Sequence, residues 1–174
     1  MLNDMEQFVP QEVCLSCDGC CRFKDETSAW RPRIAKEESM EMVALGLATQ
    51  IFAKSMTDQD GYIKAKPCLG QFHCSFFHKE NNTCNAYQAR PFECQLYPFV
   101  LVRAQENLSV HVHLSCPHIG KMRSSPEFEK YVAYLKGFLQ KAHVTAFLRR
   151  NRDIGGEYKD YRQELEFLFD LNWS

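Results

Sequence analysis

Residues 14–21 read CLSCDGCC, so that four thiols lie within eight positions of the chain. Inert buried cysteines explain one or two such positions, but so dense a group is typical of metal ligands. Cys14 and Cys17 have the spacing of the short knuckle in tetrathiolate zinc sites, and Cys20 extends it to the ferredoxin spacing for a four-iron cluster. Gly19 allows the tight turn that such a loop needs. The stretch therefore predicts a loop around a zinc or iron–sulfur centre.

Cys20 and Cys21 are adjacent, and this arrangement bears on the number of centres. Neighbouring side chains of an extended or irregular backbone point in different directions, so that sharing one small ion would strain the peptide. We therefore expect Cys20 and Cys21 to have different partners. Either there are two centres, or one centre has a spare thiol beside it.

The chain has nine cysteines in all, and the remaining five lie downstream, at Cys68, Cys74, Cys84, Cys94 and Cys116. The number is odd, and 174 residues exceed the usual length of a disulfide-stapled module. Residues 1–6 lack the basic and apolar regions of a secretory signal, and no apolar run is long enough to span a bilayer. The sequence therefore favours metal ligands over disulfides and predicts a cytoplasmic protein.

The composition is that of an ordinary globular protein, with 45% hydrophobic and 25% charged residues. A formal net charge of −1 provides no general attraction for nucleic acid or for an anionic membrane. We therefore expect a metal ion or cluster as partner, and neither nucleic acid nor a membrane. No catalytic triad, phosphate-binding loop or dinucleotide-binding fingerprint is present, so the sequence leaves open whether the protein is an enzyme.

Helical spacing begins after the first cysteine group. Met40, Val43, Ala44 and Leu47 recur at i, i+3, i+4 and i+7, which predicts the buried face of a helix that starts near residue 36. Gly46 is expected to end this helix. Residues 58–61 read DQDG, which predicts a turn.

Residues 99–115 predict a β-hairpin, because two runs rich in strand formers flank a polar turn at residues 105–107. Ser125 and Pro126 predict the start of a helix with an apolar stripe that extends to Phe147. The segment from Tyr158 to Phe169 predicts a second amphipathic helix. We expect a single α+β domain over residues 1–174. In it, an irregular cysteine-rich metal-binding region (14–120) with the hairpin packs on a C-terminal helical pair, the helical buttress (125–171).

A second block, residues 84–99, reads CNAYQARPFECQLYPF. Together with residues 14–21, the block resembles the CxxCxxCC cysteine-cluster family, a domain to which zinc or iron chelation is ascribed. That family has a cysteine followed by Tyr, then Arg-Pro, then a cysteine and an aromatic-Pro pair. The resemblance also covers Pro67-Cys68-Leu69 and residues 116–120. The chain departs from the family at Leu69-Gly70, where Pro and an aromatic residue are usual, and at Gln95, where a basic residue is frequent.

The resemblance implies eight ligands and leaves Cys74 as an extra cysteine in reserve. The eight are Cys14, Cys17, Cys20, Cys21, Cys68, Cys84, Cys94 and Cys116. Two tetrathiolate centres use this number of thiolates. Some larger proteins with a similar cluster are flagellin lysine N-methylases, so the resemblance implies, as an alternative, an iron–sulfur redox or methyl-transfer enzyme.

Two arginines are candidates to interact with the centre. A tetrathiolate zinc ion or an oxidised four-iron cluster carries about two negative charges. We expect the guanidinium of Arg90 to offset this charge and to donate hydrogen bonds to sulfur. Arg22, next to Cys21, is expected to act in the same way. The alternative for Arg90 is a solvated surface residue.

Overall fold

The computed structural model describes residues 4–17, 19–47 and 61–171. It contains helices and antiparallel sheets, which confirms the predicted α+β class. Two compact units are distinguished: the first unit is residues 10–94, and the second unit is residues 4–9 with 95–171. A single domain over residues 1–174, with its boundaries at 120 and 125, stays a prediction. No helix within the described ranges is long and apolar enough to cross a membrane.

The first unit consists of short elements joined by loops. Its helices are α1 (Gln11–Leu15) and α2 (Lys36–Ala44), with 3-10 turns at Gly19–Cys21 and Tyr87–Ala89, and α3 (Phe92–Leu96) begins in this unit. Its strands are β1 (Arg22–Phe23), β2 (Ala65–Cys68), β3 (Gln71–Cys74), β4 (Phe77–His78) and β5 (Thr83–Cys84). The strands form an antiparallel sheet in the order β1-β3-β2 and a separate β4-β5 pair. Its hydrophobic core contains Phe23, Ile34, Met42, Ile63, Phe76 and Phe77.

Helix α2 buries a different face from the predicted one. Met40 is 64% exposed, and the buried residues are Glu38, Ser39 and Met42. The face that α2 buries carries Glu38 as well as Met42, and the Glu38 carboxylate accepts hydrogen bonds from Ala35 N and Phe92 N. The prediction that Gly46 ends the helix is confirmed, since its φ is +69°. The turn predicted at residues 58–61 lies, apart from residue 61, outside the described residues.

The second unit is a three-stranded antiparallel sheet with helices. Its strands are β6 (Phe99–Ala104), β7 (Asn107–His113) and β8 (Leu165–Leu171), in the order β6-β7-β8. Its helices are α4 (Pro117–Met122), α5 (Pro126–Leu139) and α6 (Ala142–Arg150), with a 3-10 segment at Lys159–Glu164. The predicted hairpin is confirmed by β6 and β7. The predicted helix start is confirmed as well, because Ser125 Oγ accepts a hydrogen bond from Phe128 N at 3.2 Å.

The predicted second amphipathic helix is wrong, because its C-terminal part is strand β8. In this segment the apolar residues also alternate, at Leu165, Phe167, Phe169 and Leu171, so the pattern fits a strand as well as a helix. Pairing with β7 decides between the two, and Phe169 lies opposite Val110. The C-terminal helical pair is instead α5 and α6, which the sequence predicted as one continuous helix.

The N-terminal segment packs within the second unit. Glu6 N donates a hydrogen bond to Tyr134 Oη at 2.7 Å, and Tyr131 Oη donates to Glu6 O at 2.7 Å. The Phe8 ring lies edge-on to the Phe99 ring, with centroids 5.7 Å apart. Residues 4–9 therefore complete the second unit before the chain enters the first.

Candidate metal centre

The loop at residues 14–21 starts on a short helix and ends on a tight turn. Helix α1 carries Cys14, and Cys17 N donates to Cys14 O at 3.2 Å, which folds the chain back after one turn. Gly19 N then donates to Cys17 Sγ at 3.4 Å, as amides do in thiolate knuckles. The 3-10 turn Gly19–Cys21 follows directly. The sequence thus folds locally into a loop that can wrap around an ion.

The vicinal pair differs from the expected arrangement. The Cys20 and Cys21 thiols are hydrogen-bonded to each other, which lowers the pKa of Cys20 and raises that of Cys21. The two thiols are thus within hydrogen-bonding reach of each other, although successive side chains of a 3-10 turn point about 120° apart. Two different partners for Cys20 and Cys21 stay a prediction.

Three further cysteines of the first unit lie close to this loop. Cys74 belongs to the hydrophobic core, and Cys21 and Cys84 pack against the same core. Cys94 is the third residue of α3, and its thiol interacts electrostatically with Cys20, Cys74 and Cys84. Seven thiols thus form one group, the thiol cluster: Cys14, Cys17, Cys20, Cys21, Cys74, Cys84 and Cys94.

The register of the β2–β3 hairpin separates Cys68 from Cys74. Cys68 lies opposite Gln71, at the turn, whereas Cys74 lies opposite Ala65, at the other end of β3. Because three residues of strand span about 10 Å, the two cysteines occupy opposite ends of the hairpin. They also lie on opposite faces, since cross-strand partners share a face and successive residues alternate. Cys68 is half-buried, whereas Cys74 is buried.

The sequence leaves Cys74 in reserve, whereas the structure brings its thiol into electrostatic interaction with those of Cys84 and Cys20. The signal that could have found it is the dipeptide Leu69-Gly70, whose positive φ angles of +48° and +78° make a two-residue hairpin turn. Such a turn places Cys68 and Gln71 opposite each other and directs Cys74 to the far end. The proposed ligand role of Cys68 stays a prediction.

Burial raises the pKa of four thiols of the cluster and so favours their protonated form. It raises the pKa of Cys14 to about 11 and that of Cys74 to about 12, and in both cases the charge of neighbouring thiols adds to the rise. Burial also raises the pKa of Cys84 and, to a greater extent, that of Cys94. Such thiols ionise near neutral pH only if a cation offsets their burial and mutual repulsion, which is what a thiolate-bound metal ion does.

Arg90 lies beside the thiol cluster. Its Nη1 donates to Cys14 Sγ at 3.9 Å, and its guanidinium carbon lies 3.8 Å from the centroid of the Tyr87 ring. The positive charge of Arg90 lowers the pKa of Cys20, partly offsets the raised pKa of Cys84, and also favours the thiolate of Cys94. A solvated surface residue does not fit this position. Arg22, at the start of β1, is exposed.

The ninth cysteine belongs to the second unit. Cys116 is buried and precedes α4, and its N donates to His113 O at 3.4 Å. A ligand role for Cys116 stays a prediction. His113 is itself part of a polar chain: its Nδ1 is 3.0 Å from Tyr97 Oη, and its Nε2 is 3.1 Å from Glu164 Oε2. Burial lowers the pKa of His113, and Glu164 partly opposes this.

The thiols are gathered but not arranged as a finished coordination sphere. Among residues 4–17, 19–47 and 61–171, no three His, Cys, Asp or Glu side chains form a ready-made set of metal ligands. The donor set nevertheless fits a thiophilic ion, since it combines neighbouring thiols, most of them partly or fully buried, with a guanidinium. Zinc and iron–sulfur centres both meet this description.

Comparison with known proteins agrees with this chemistry. Residues 13–117, more than half of the chain, match the model of the CxxCxxCC family, described as "Putative zinc- or iron-chelating domain". No curated protein and no solved structure matches the chain. The matched segment begins directly before Cys14 and ends directly after Cys116, so that it contains all nine cysteines. The chain belongs to the CxxCxxCC family of zinc- or iron-chelating domains.

Proposed function

We propose that the protein binds a zinc or iron centre through the thiol cluster, and that Cys74 is one of its ligands. The observation that carries the proposal is the convergence of seven thiols from four separate segments of the first unit. Convergence from distant segments is the arrangement of a ligand sphere, whereas structural cysteines are more often scattered. The metal, when bound, supplies the positive charge that the ionised thiols require.

The number of thiols favours a centre with more than one metal atom. A mononuclear zinc site or a four-iron cluster is held by about four thiolates. Seven exceed this number, and Cys20 interacts electrostatically both with Cys14 of its own loop and with Cys94 of α3. We infer either two adjacent centres or one polynuclear centre around Cys20. Arg90 then balances part of the surplus negative charge.

A structural role follows from the construction of the first unit. Its elements are short, and its core includes several small residues such as Ala65, Ala86 and Ala89, which contribute little apolar area. A metal that joins four segments supplies the missing stabilisation, since binding free energy becomes folding free energy in such units. We therefore propose that the centre orders the first unit.

The β2–β3 hairpin offers a matched pair of variants to test the proposal. Cys74→Ser and Cys68→Ser make the same chemical change at opposite ends of one hairpin. Anaerobically purified protein is analysed for zinc and iron by mass spectrometry, and its visible absorption distinguishes iron–sulfur from zinc. We expect Cys74→Ser to lower the bound metal per chain and Cys68→Ser to leave it unchanged.

Two outcomes contradict the proposal. Wild-type protein without zinc or iron would refute metal binding altogether. Loss of metal from Cys68→Ser with full retention in Cys74→Ser would return the ligand role to Cys68. Lys66→Ala, on the same hairpin but without a thiol, serves as the control for local disturbance.

A further inference from the structure

Glu38 is a buried carboxylate that the proposed metal binding does not use. It lies in the first turn of α2 and is only 6% exposed. Glutamate is rarely buried to this extent unless its oxygen atoms are hydrogen-bonded, because an unpaired buried carboxylate is costly. The partners of Glu38 therefore indicate what the burial achieves.

The carboxylate caps two helices at once. Glu38 Oε2 accepts a hydrogen bond from Ala35 N at 2.8 Å, at the N-cap of its own helix α2. Glu38 Oε1 accepts from Phe92 N at 2.7 Å, and Phe92 is the first residue of α3. The first N–H groups of a helix have no partner within the helix, so that an acceptor there fixes where the helix starts.

A second contact holds the next residue of α3. Glu93 Oε2 accepts a hydrogen bond from Arg33 N at 2.6 Å, and Glu93 Oε1 is 3.6 Å from Arg33 Nη1. The Arg33 guanidinium lies over the Tyr62 ring and donates to Tyr62 Oη. The chain segment 33–38 thus holds α3 at two successive residues.

Helix α3 depends on such contacts for its position. It has five residues, and a helix this short is not stable in water on its own. Cys94 is its third residue, so that any rotation or shift at Phe92 moves the Cys94 thiol. The contacts at Phe92 and Glu93 are therefore also the contacts that orient Cys94.

We propose that Glu38 is a positioning residue for the metal centre, which holds the start of α3 so that Cys94 faces the other thiols. This inference rests on the proposed function, because it takes Cys94 as a ligand. Outer residues that orient a ligand typically change metal affinity by about 10–100-fold when they are replaced. Glu38 reaches Cys94 through the backbone of α3 rather than through a direct contact.

Glu38→Gln is the sharpest variant for a test. It keeps the size of the side chain but replaces one acceptor oxygen with an NH2 donor, so that the N–H of either Ala35 or Phe92 loses its acceptor. Glu37→Gln is the matched control. Glu37 lies in the same first turn, carries the same charge and is exposed.

Co(II) serves as the probe, because its charge-transfer absorption reports the number of bound thiolates. We expect Glu38→Gln to release Co(II) to a competing chelator about 10–100-fold faster than wild type, with a weaker charge-transfer band per ion. Glu37→Gln should match wild type in both measurements. A wild-type band and release rate in Glu38→Gln would overturn the proposal, even if that variant has a lower melting temperature.

Two further measurements cover the remaining outcomes. If Glu38→Gln does not fold, Glu38→Asp is measured in its place, since it keeps the charge and shortens the reach. If wild-type protein binds no Co(II), the proposed function has failed, and alkylation of Cys94 is compared by mass spectrometry. Faster alkylation in Glu38→Gln would then support the positioning of α3 by Glu38, and equal rates would refute it.

Discussion

The two units of the protein are stabilised in different ways. The second unit has a continuous apolar core in which Val110, Val112, Leu135 and Val144 are fully buried. The first unit has short strands and helices, and beside its core lie the partly buried thiol cluster and the buried Glu38 carboxylate. Apolar burial is extensive in the second unit, whereas we propose that a bound ion compensates for the buried polar groups of the first.

Removal of the metal should reveal the largest difference in stability between the two units. We expect a strong chelator to unfold residues 10–94 and to leave residues 95–171 folded, because structural metal binding contributes about 10–16 kcal/mol in small thiolate domains. Hydrogen exchange followed by mass spectrometry measures both units in one sample. Restored protection after zinc or iron is added back is the control. Persistent protection of residues 10–94 in the chelated protein would mean that the first unit is stable without metal.

A cavity in the core of the second unit should destabilise that unit and leave the first unaffected. Leu135, in α5, is 0% exposed, and we expect Leu135→Ala to lower the free energy of unfolding of this unit by about 2–5 kcal/mol. The metal content should not change. Lys130→Ala, at an exposed position of the same helix, is the control and should shift stability by less than about 0.5 kcal/mol. If Leu135→Ala also released the metal, the two units would unfold as one.

Acid should weaken the second unit slightly through His113. Burial lowers the pKa of His113 below its ordinary value of 6.5, so the unfolded chain binds a proton more readily than the folded one. The contribution of His113 to the free energy of unfolding is therefore fully present above pH 6.5. It decreases as the pH falls below 6.5, by at most about 1.4 kcal/mol per pH unit. Urea denaturation followed by circular dichroism measures this dependence.

His113→Gln should reduce the pH dependence without abolishing it, because burial also lowers the pKa of His111 on the same strand. Wild-type protein with the same urea midpoint at pH 7.5 and pH 5.5 would contradict this account. An unchanged pH dependence in the variant would assign the effect to His111.

Local sequence signals predicted much of the second unit and the cysteine loop. The β6–β7 hairpin and the capping by Ser125 depend on neighbouring residues, and both were predictable from the sequence. Strand β8 was not, because its pattern fits a helix and a strand, and only pairing with β7 decides between them. Intrinsic propensity is a weak guide where such tertiary contacts decide.

The sequence predicts the chemistry of the site, but it does not determine which cysteines form it. Cysteine spacing predicts a thiolate centre, and Arg90 contacts one of the thiols, that of Cys14. The register of the β2–β3 hairpin, which places Cys68 and Cys74 at opposite ends, could not be read from the cysteine spacing. The role of Glu38 could not be predicted, because its partner Phe92 is 54 residues away in the sequence.

The insertion of the first unit within the sequence of the second has a thermodynamic consequence. Residues 4–9 belong to the second unit, so the first unit is an insertion of about 85 residues between two parts of the second. When the metal is absent and residues 10–94 are unfolded, folding of the second unit must close this insertion as a flexible loop. The entropic cost grows as the logarithm of loop length and is on the order of 4 kcal/mol for such a loop. An ordered insertion removes most of that cost, so that the metal we propose for the first unit would stabilise the second through the covalent chain alone.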